Sequence, residues 1–452
     1  MSSPQGCVSL RVLRQMLTVG SYTALVKLVG GVKVVFTARA FGMSDGLDAY
    51  LIAFLLPSFV CDTLAGSLQS ALVPTFIEIR ERDGRASSIR LYQTVLGASA
   101  AVLFFAALLT GISAPLIFRL LASSFDSQKL ALTQSLFWIM LPIVPVSAFG
   151  MTWRAMLNVE GRFAVPAMIP AVTPIAALIF LLAFGRTWGV YSLAAGTLAG
   201  GTLEAILLSI SMLARGFPIL PIWQGRSAAL HQVVTQYTPV VAGILLLGGA
   251  PLIDQAIAGM LMSGSVAALS YGTRLSTVLI AIGPTAVATA ILPHFSKLTV
   301  TADWTNIRHS LRSYAIVILA VSVPVVAVLI FFSEPIVRLF FQRGEFTDSA
   351  TSVVTTIQRF SLIQIPIAMV MALSLRLVSS LKANHLLLRV AALYAVLNLA
   401  LDLILTRTMG VAGIALSTAI VQFACLIYLF HLMRTHLPAS LNPVPSRVTA
   451  SS

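Results

Sequence analysis

Residues 314–332 read Tyr-Ala-Ile-Val-Ile-Leu-Ala-Val-Ser-Val-Pro-Val-Val-Ala-Val-Leu-Ile-Phe-Phe, nineteen positions without a charge. A helix of about 20 apolar residues crosses the hydrocarbon core of a bilayer. Working outward from this block, hydropathy and helix breakers predict twelve spans in the 452 residues, at about 18–41, 48–77, 91–113, 130–157, 163–184, 189–213, 232–261, 265–292, 310–332, 350–380, 386–406 and 410–433. A short Met-Ser-Gly-Ser turn at 262–265 separates the seventh from the eighth. Composition agrees: 58% of residues are hydrophobic and 10% charged, against about 25% charged in soluble proteins. Fifteen acids and twenty-nine bases cannot coat several soluble domains. A soluble enzyme, a disordered chain and a fibrous repeat are therefore excluded.

The net charge of +14 would suggest nucleic acid in a soluble chain. No basic run with interleaved aromatics is present, and cytoplasmic loops of membrane proteins collect Lys and Arg. With the N-terminus placed inside, the inner loops hold eighteen bases and the outer side holds six: Arg119, Lys129, Arg186, Arg338, Arg343 and Arg407. This bias predicts a multi-pass protein of the bacterial inner membrane with both termini cytoplasmic. Arg11 and Arg14 precede a segment interrupted by Lys27 and Lys33, unlike the uncharged core of a cleavable signal. Cys7, Cys61 and Cys425 form no metal or disulfide pattern.

Phe41–Phe76 aligns without gaps on Met260–Phe295, with seven of 36 positions identical. Gly189-Val190 echoes Gly410-Val411 in the same way. The fold class expected is an all-α polytopic membrane protein, with about 12 transmembrane helices in two six-helix lobes around a central cavity. The N-terminal lobe is expected over 1–222 and the C-terminal lobe over 223–434. Residues 435–452 are expected to be a disordered cytoplasmic tail. Such repeats commonly bind substrate near the midplane and work by alternating access.

Charges inside spans are the most informative feature, because an ionisable group near a helix centre costs about 2.5–3.5 kcal/mol on insertion scales. The first span carries Lys27, Lys33 and Arg39, with Gly30-Gly31 permitting a bend. Arg39 lies near the outer end, where it either snorkels to headgroups or forms a gate. Asp48 opens the second span, where it either caps its own helix or pairs with Arg39 as an outer latch. Asp62 lies mid-span, and with Asp254 and Tyr271 is expected to line the cavity. Arg274 in the eighth span offers a guanidinium fork suited to phosphate oxygens, with Asp254 as an alternative ion-pair partner. Glu204 and Asp402 read as isolated acids. They are candidates for ion coupling or for polar helix contacts. A cavity holding Lys27, Lys33 and Arg274 would be basic and suited to an anion. No Walker A loop or regular arginine ladder occurs, and no metal or cofactor is expected.

Ala38-Arg39-Ala40-Phe41-Gly42, then Asp48-Ala49-Tyr50-Leu51-Ile52-Ala53-Phe54 and Leu56-Pro57, resembles the MurJ (MviN) lipid II flippases, whose pattern is close to A-R-x-F-G and D-A-F-x-x-A-F-x-L-P. Ala71-Leu72-Val73-Pro74, Leu157-Asn158 with Gly161-Arg162-Phe163, Ser263-Gly264-Ser265-Val266, Tyr271 with Arg274-Leu275, Ile291-Leu292-Pro293 and Arg343-Gly344-Glu345-Phe346 fit as well. The set is colinear from the first span to the tenth. The resemblance implies the multidrug/oligosaccharidyl-lipid/polysaccharide exporter superfamily. It also implies a flippase, not an enzyme, for undecaprenyl-pyrophosphate-linked saccharide, a peptidoglycan precursor. Lys27, Lys33 and Arg274 match family bases thought to hold the pyrophosphate, and Asp48 matches the acid of the second span.

The chain departs from the family in four places. Leu55, Cys61 and Asp62 stand where further bases are usual, and Gly66 stands where an acid is usual. Lysine replaces arginine in the first span, which keeps charge and loses the bidentate fork. The chain stops after twelve spans where members often have two more. The expected partners are the lipid-linked saccharide, membrane lipids and cell-envelope synthesis proteins, with the chain a monomer. Three other readings stay open: a flippase for another polyprenyl-linked polysaccharide unit, a drug or cation antiporter, and a polyprenyl-lipid membrane enzyme. A fourth, a non-transporting scaffold, has no use for charges in the spans.

Overall fold

The computed structural model describes residues 4–121, 124–223, 225, 228–281, 304–380 and 384–436, and their regular structure is entirely helical. In chain order the helices are α1 (Pro4–Phe41), α2 (Asp45–Val60), α3 (Gly66–Leu121), α4 (Ser127–Met140), α5 (Ile143–Val159), α6 (Ala164–Met168), α7 (Val172–Trp188), α8 (Tyr191–Leu213), α9 (Ala228–Gly248), α10 (Ala250–Gly259) and α11 (Ser265–Gly272). They continue with α12 (274–281), α13 (Trp304–Phe331), α14 (Ser333–Phe341), α15 (Asp348–Ser380), α16 (Asn384–Met409) and α17 (Val411–His436). Large apolar side chains point outward along them, such as Ile112 at 70% and Phe331 at 76% exposure. Water would not tolerate so much of this surface, whereas lipid does. This is a multi-pass membrane protein.

Among the described residues, eight stretches are long and apolar enough to cross a membrane. They hold nine of the twelve expected spans, because Asp45–Arg119 contains two of them. A straight helix of that length would reach about 110 Å, more than three times the hydrocarbon core. Gly84, at φ +82° and ψ 176°, breaks it in the polar stretch between the two spans. The first expected span lies in α1, whose Lys27, Lys33 and Arg39 make it the most charged of the set. The seventh is divided into α9 and α10 at Gly249, just before Pro251. The eighth begins in α11 and α12, and its end lies outside the described residues. So does most of the expected disordered tail.

Contacts divide the chain into two compact units. One holds Met1–Tyr271 with Val337–Ser352, and the other Gly272–Ile336 with Val353–Ser452. This division falls at 271/272, whereas the sequence repeat places a lobe boundary at 222/223. A contact division is not a repeat boundary, and the two-lobe organisation remains a reading of the sequence. In the first unit, Leu72, Phe76, Leu96, Met156 and Leu208 form a buried core. Trp153 Nε1 donates to Tyr92 Oη (3.0 Å), which donates to the Pro218 carbonyl (3.0 Å). In the second unit, Leu373, Leu377, Val390, Val421 and Leu429 make the corresponding core.

Two local features place the polar groups of the first unit. Pro57 sits inside α2, and Cys61–Ala65 form a π-helical turn that joins α2 to α3. Such turns carry an extra residue and leave a carbonyl without its usual partner; here Tyr237 Oη of α9 donates to the Leu64 carbonyl at 2.8 Å. Asp62 lies on this turn. The second feature is Gly196-Thr197-Leu198-Ala199-Gly200 in α8, a small-xxx-small pattern that lets backbones approach. A Cβ at Gly196 would stand 2.7 Å from Ala177 Cα, and one at Gly200 2.6 Å from Thr173 Cα. Replacing Gly200 with leucine is expected to destabilise the chain by about 1–3 kcal/mol. Thermal unfolding in detergent would record this as a lowered midpoint, and an unchanged midpoint would show that the helices can separate freely.

Candidate functional site

Polar groups of the first unit gather at two places, one at the N-terminal end of α2 and one among α2, α5, α7 and α8. At the start of α2, Ser44 rather than Asp48 is the cap, accepting from Leu47 N at 3.4 Å. Asp48 is one turn further in and only 1% exposed. Its Oδ2 accepts from Lys129 Nζ (3.0 Å) and Gly264 N (2.7 Å), and its Oδ1 from Ala267 N (2.8 Å). Asp48 therefore caps α11, a helix about two hundred residues away in sequence, and satisfies N–H groups that a helix start leaves open. Gly264 is required at this point. Its φ is +82°, and a Cβ would stand 2.6 Å from the Met43 carbonyl oxygen.

Lys129, 9% exposed, completes the cluster from the first turn of α4. Its ammonium also donates to Asp45 Oδ1 (2.5 Å) and lies 4.0 Å from the centroid of Phe125. Ser263 Oγ donates to the same Asp45 oxygen at 2.7 Å. The expected Arg39–Asp48 pair is not formed among the described residues, because Lys129 and two backbone amides already fill the carboxylate. Arg39 is exposed, and its carbonyl accepts from Glu345 N at 3.1 Å. Tyr271, expected to line a cavity, is buried instead: its hydroxyl donates to the Gly42 carbonyl (3.2 Å) and its ring packs on Phe341 and Phe346.

The second place is a cavity of about 310 Å³ whose polar wall includes Ser58, Asp62, Ser147, Arg154, Thr173 and Glu204. Glu204 is not isolated. Arg154 pairs with its Oε1, and Thr173 Oγ1 donates to its Oε2 at 3.1 Å. Asp62 is exposed on the cavity side of the π-turn, and Lys27 interacts with it electrostatically. This wall is mixed in charge rather than uniformly basic. Lys33, six residues further along α1, donates to Tyr50 Oη at 3.4 Å. Asp254, half-buried on α10, has a partner.

In the second unit, Arg274 opens α12 half-buried, and its Nε is enclosed without a hydrogen-bond partner among the described residues. Asp402 of α16 is fully buried and accepts from Ser417 Oγ of α17. Of the residues singled out in the sequence, the structure thus brings Lys27 within electrostatic reach of Asp62 without forming an ion pair among the described residues. It gives Asp48, Glu204 and Asp402 partners that were not foreseen. The sequence holds no local signal for the pairing of Lys129 or of Arg154.

The family model described as "MurJ: Lipid II flippase MurJ" matches residues 37–445. The chain belongs to the MurJ lipid II flippase family. Among its relatives, "Probable lipid II flippase MurJ" of Rhizobium meliloti (strain 1021) is 28% identical over 356 residues, 76% of this chain and 66% of that protein. "Lipid II flippase MurJ" of Burkholderia cenocepacia is 27% identical over 363 residues, 76% of this chain and 69% of that one. "Probable lipid II flippase MurJ" of Bdellovibrio bacteriovorus is 23% identical over 437 residues, 95% of this chain and 83% of that protein. The chain thus spans about two thirds of the first two relatives' length and more of the third.

A solved structure described as "Lipid II flippase MurJ, inward closed conformation" superposes with a TM-score of 0.80 at 22% identity, covering 93% of this chain and 88% of that one. An inward-facing MATE multidrug transporter of the MOP superfamily superposes at 0.76 with 13% identity, covering 92% and 98%. The fold is therefore the one that these MurJ and MATE structures share. Membership of a flippase family also upholds the reading of a transporter rather than an enzyme.

Two stability outcomes follow from the geometry. Lys129→Met removes the charge that neutralises a buried carboxylate and should cost about 3–5 kcal/mol. Asp45→Asn, at a side chain 59% exposed, should cost less than about 1 kcal/mol. Equal shifts of the thermal midpoint in detergent would contradict this ranking. Glu204→Gln should destabilise by leaving Arg154 unpaired, and adding Arg154→Met should recover much of the loss. A double variant as unstable as the sum of the two singles would argue against a coupled pair.

Proposed function

We propose that this chain flips an undecaprenyl-pyrophosphate-linked saccharide of the lipid II type across the bacterial inner membrane by alternating access. The observation that carries this reading is its membership of the MurJ family together with the bases its spans retain. Lys27 and Lys33 in α1 and Arg274 in α12 are cationic donors inside a hydrophobic protein. The Nε of Arg274 is enclosed and unsatisfied among the described residues. Such donors suit phosphate oxygens, which arginine binds as a fork and lysine as a point charge. A scaffold gains nothing from their insertion cost.

In this reading the bases engage the pyrophosphate. The Asp48–Lys129 cluster holds the outer side, where Arg39 also lies. Asp62, Asp254 and Tyr271 support the surrounding wall. Glu204 and Asp402, both buried carboxylates, are the candidates for ion coupling. Both termini are cytoplasmic, the transporter works as a monomer, and cell-envelope synthesis proteins supply and consume its cargo. One observation favours a second reading of the cargo. Asp62 is exposed into a wall of mixed charge, which suits a polyprenyl-pyrophosphate carrying a different saccharide from that of lipid II.

Expression in bacteria depleted of their own lipid II flippase, with lipid II followed at the outer leaflet, tests both readings. Restored flipping that is lost in a Lys27→Met, Lys33→Met, Arg274→Met triple variant is the expected result. Flipping unaffected by the triple variant would overturn the role of the bases. A chain that inserts normally and restores nothing would move the reading to the other saccharide.

A further inference from the structure

Lys33 Nζ lies 3.4 Å from Tyr50 Oη and 5.3 Å from the centroid of the same ring. Tyr50 Oη lies 3.0 Å from Thr197 Oγ1, which in turn donates to the Leu193 carbonyl at 2.7 Å, one turn earlier in α8. A threonine hydroxyl has one proton to give and an ammonium has only protons to give. With the Thr197 proton committed to Leu193, Thr197 accepts and Tyr50 is the donor between them. The phenol oxygen is then left to accept from Lys33. Every bond from Lys33 through Tyr50 and Thr197 to Leu193 therefore runs in one direction. Reversing it would strand the phenol proton and withdraw the Thr197 hydroxyl from the Leu193 carbonyl.

The chain of bonds is shielded from water: Tyr50 and Thr197 are both buried, and the Tyr50 ring is stacked on Phe54 at 6.2 Å between centroids. A hydrogen bond is electrostatically stronger in such surroundings. Its acceptor end takes up one of the three ammonium protons. Among the described residues nothing takes the other two, which remain for a ligand. A lysine stem is flexible and loses rotamer freedom when it binds. An anchor already present in the free protein removes part of that loss.

We infer that Tyr50 and Thr197 are positioning residues that hold the Lys33 ammonium ready for a phosphate group, with Thr197 acting through Tyr50. This rests on the proposed pyrophosphate role of Lys33 and adds the two residues that make a flexible point charge directional. The test is the affinity of the purified full chain, in detergent, for undecaprenyl pyrophosphate. Lys33→Met should weaken binding by about tenfold or more, and Tyr50→Phe, which keeps the ring and its stacking, by about tenfold. Thr197→Val should weaken it in the same sense, and Thr197→Ser should restore it.

In a Lys33→Met background, Tyr50→Phe should change affinity by less than about twofold, since the group it positions is gone. A merely structural hydroxyl would lower affinity equally in both backgrounds, and that result overturns the inference. So does a Tyr50→Phe variant that binds like the parent while Lys33→Met does not; the proposed role of Lys33 then stands alone. A Lys33→Met variant that binds like the parent overturns both.

Discussion

Removing a charge from water costs several kcal/mol unless a partner and hydrogen bonds meet it, and this chain carries acids and bases along helices that cross lipid. The Asp48–Lys129 contact is the clearest response. One buried carboxylate neutralises one buried ammonium and at the same time caps α11. It joins the starts of three helices that are far apart in sequence. The turn at Gly264 is shaped around it, since only glycine combines that backbone angle with so close an approach to Met43.

The same constraint sorts the remaining charges. Glu204 is closed by Arg154 and Thr173, and Asp402 receives the Ser417 hydroxyl. Lys33 and Arg274 are met differently. A phenol takes one proton of the first, and the second keeps an enclosed Nε without a partner among the described residues. An enclosed Nε without a partner among the described residues also occurs on Arg154, whose guanidinium pairs with Glu204, so it is the lack of a carboxylate beside Lys33 and Arg274 among the described residues that the proposed anion-binding role builds on. The cost of keeping such donors within the spans is what argues for a function there.

The geometry also explains why small residues and one π-turn matter. Gly196 and Gly200 bring α7 against α8 closely enough for Thr173 to reach Glu204. Pro57 and the turn at Cys61–Ala65 carry Asp62 to the cavity and free the Leu64 carbonyl for Tyr237. These are backbone arrangements that hydrophobic packing alone would not select. They follow from the requirement that every main-chain polar group in lipid be satisfied internally.

The order of residues alone determined that the chain is helical and crosses the membrane many times, because a span needs only an unbroken apolar run of sufficient length. It also determined where the unusual charges stand, since a lysine in such a run is visible without any structure. Its colinear motifs pointed to the family. Pairing is another matter. Lys129 meets Asp48 across 81 positions and Arg154 meets Glu204 across 50, and no local pattern encodes a contact at that distance. Tyr271 looked like a cavity residue by its neighbours and is a buried prop for the Gly42 carbonyl. Asp48 looked like a cap for its own helix, a role that Ser44 already fills. Only the tertiary structure decided these, because a polar group in a membrane protein is satisfied by whichever helix is packed against it, and that neighbour is chosen by the fold as a whole.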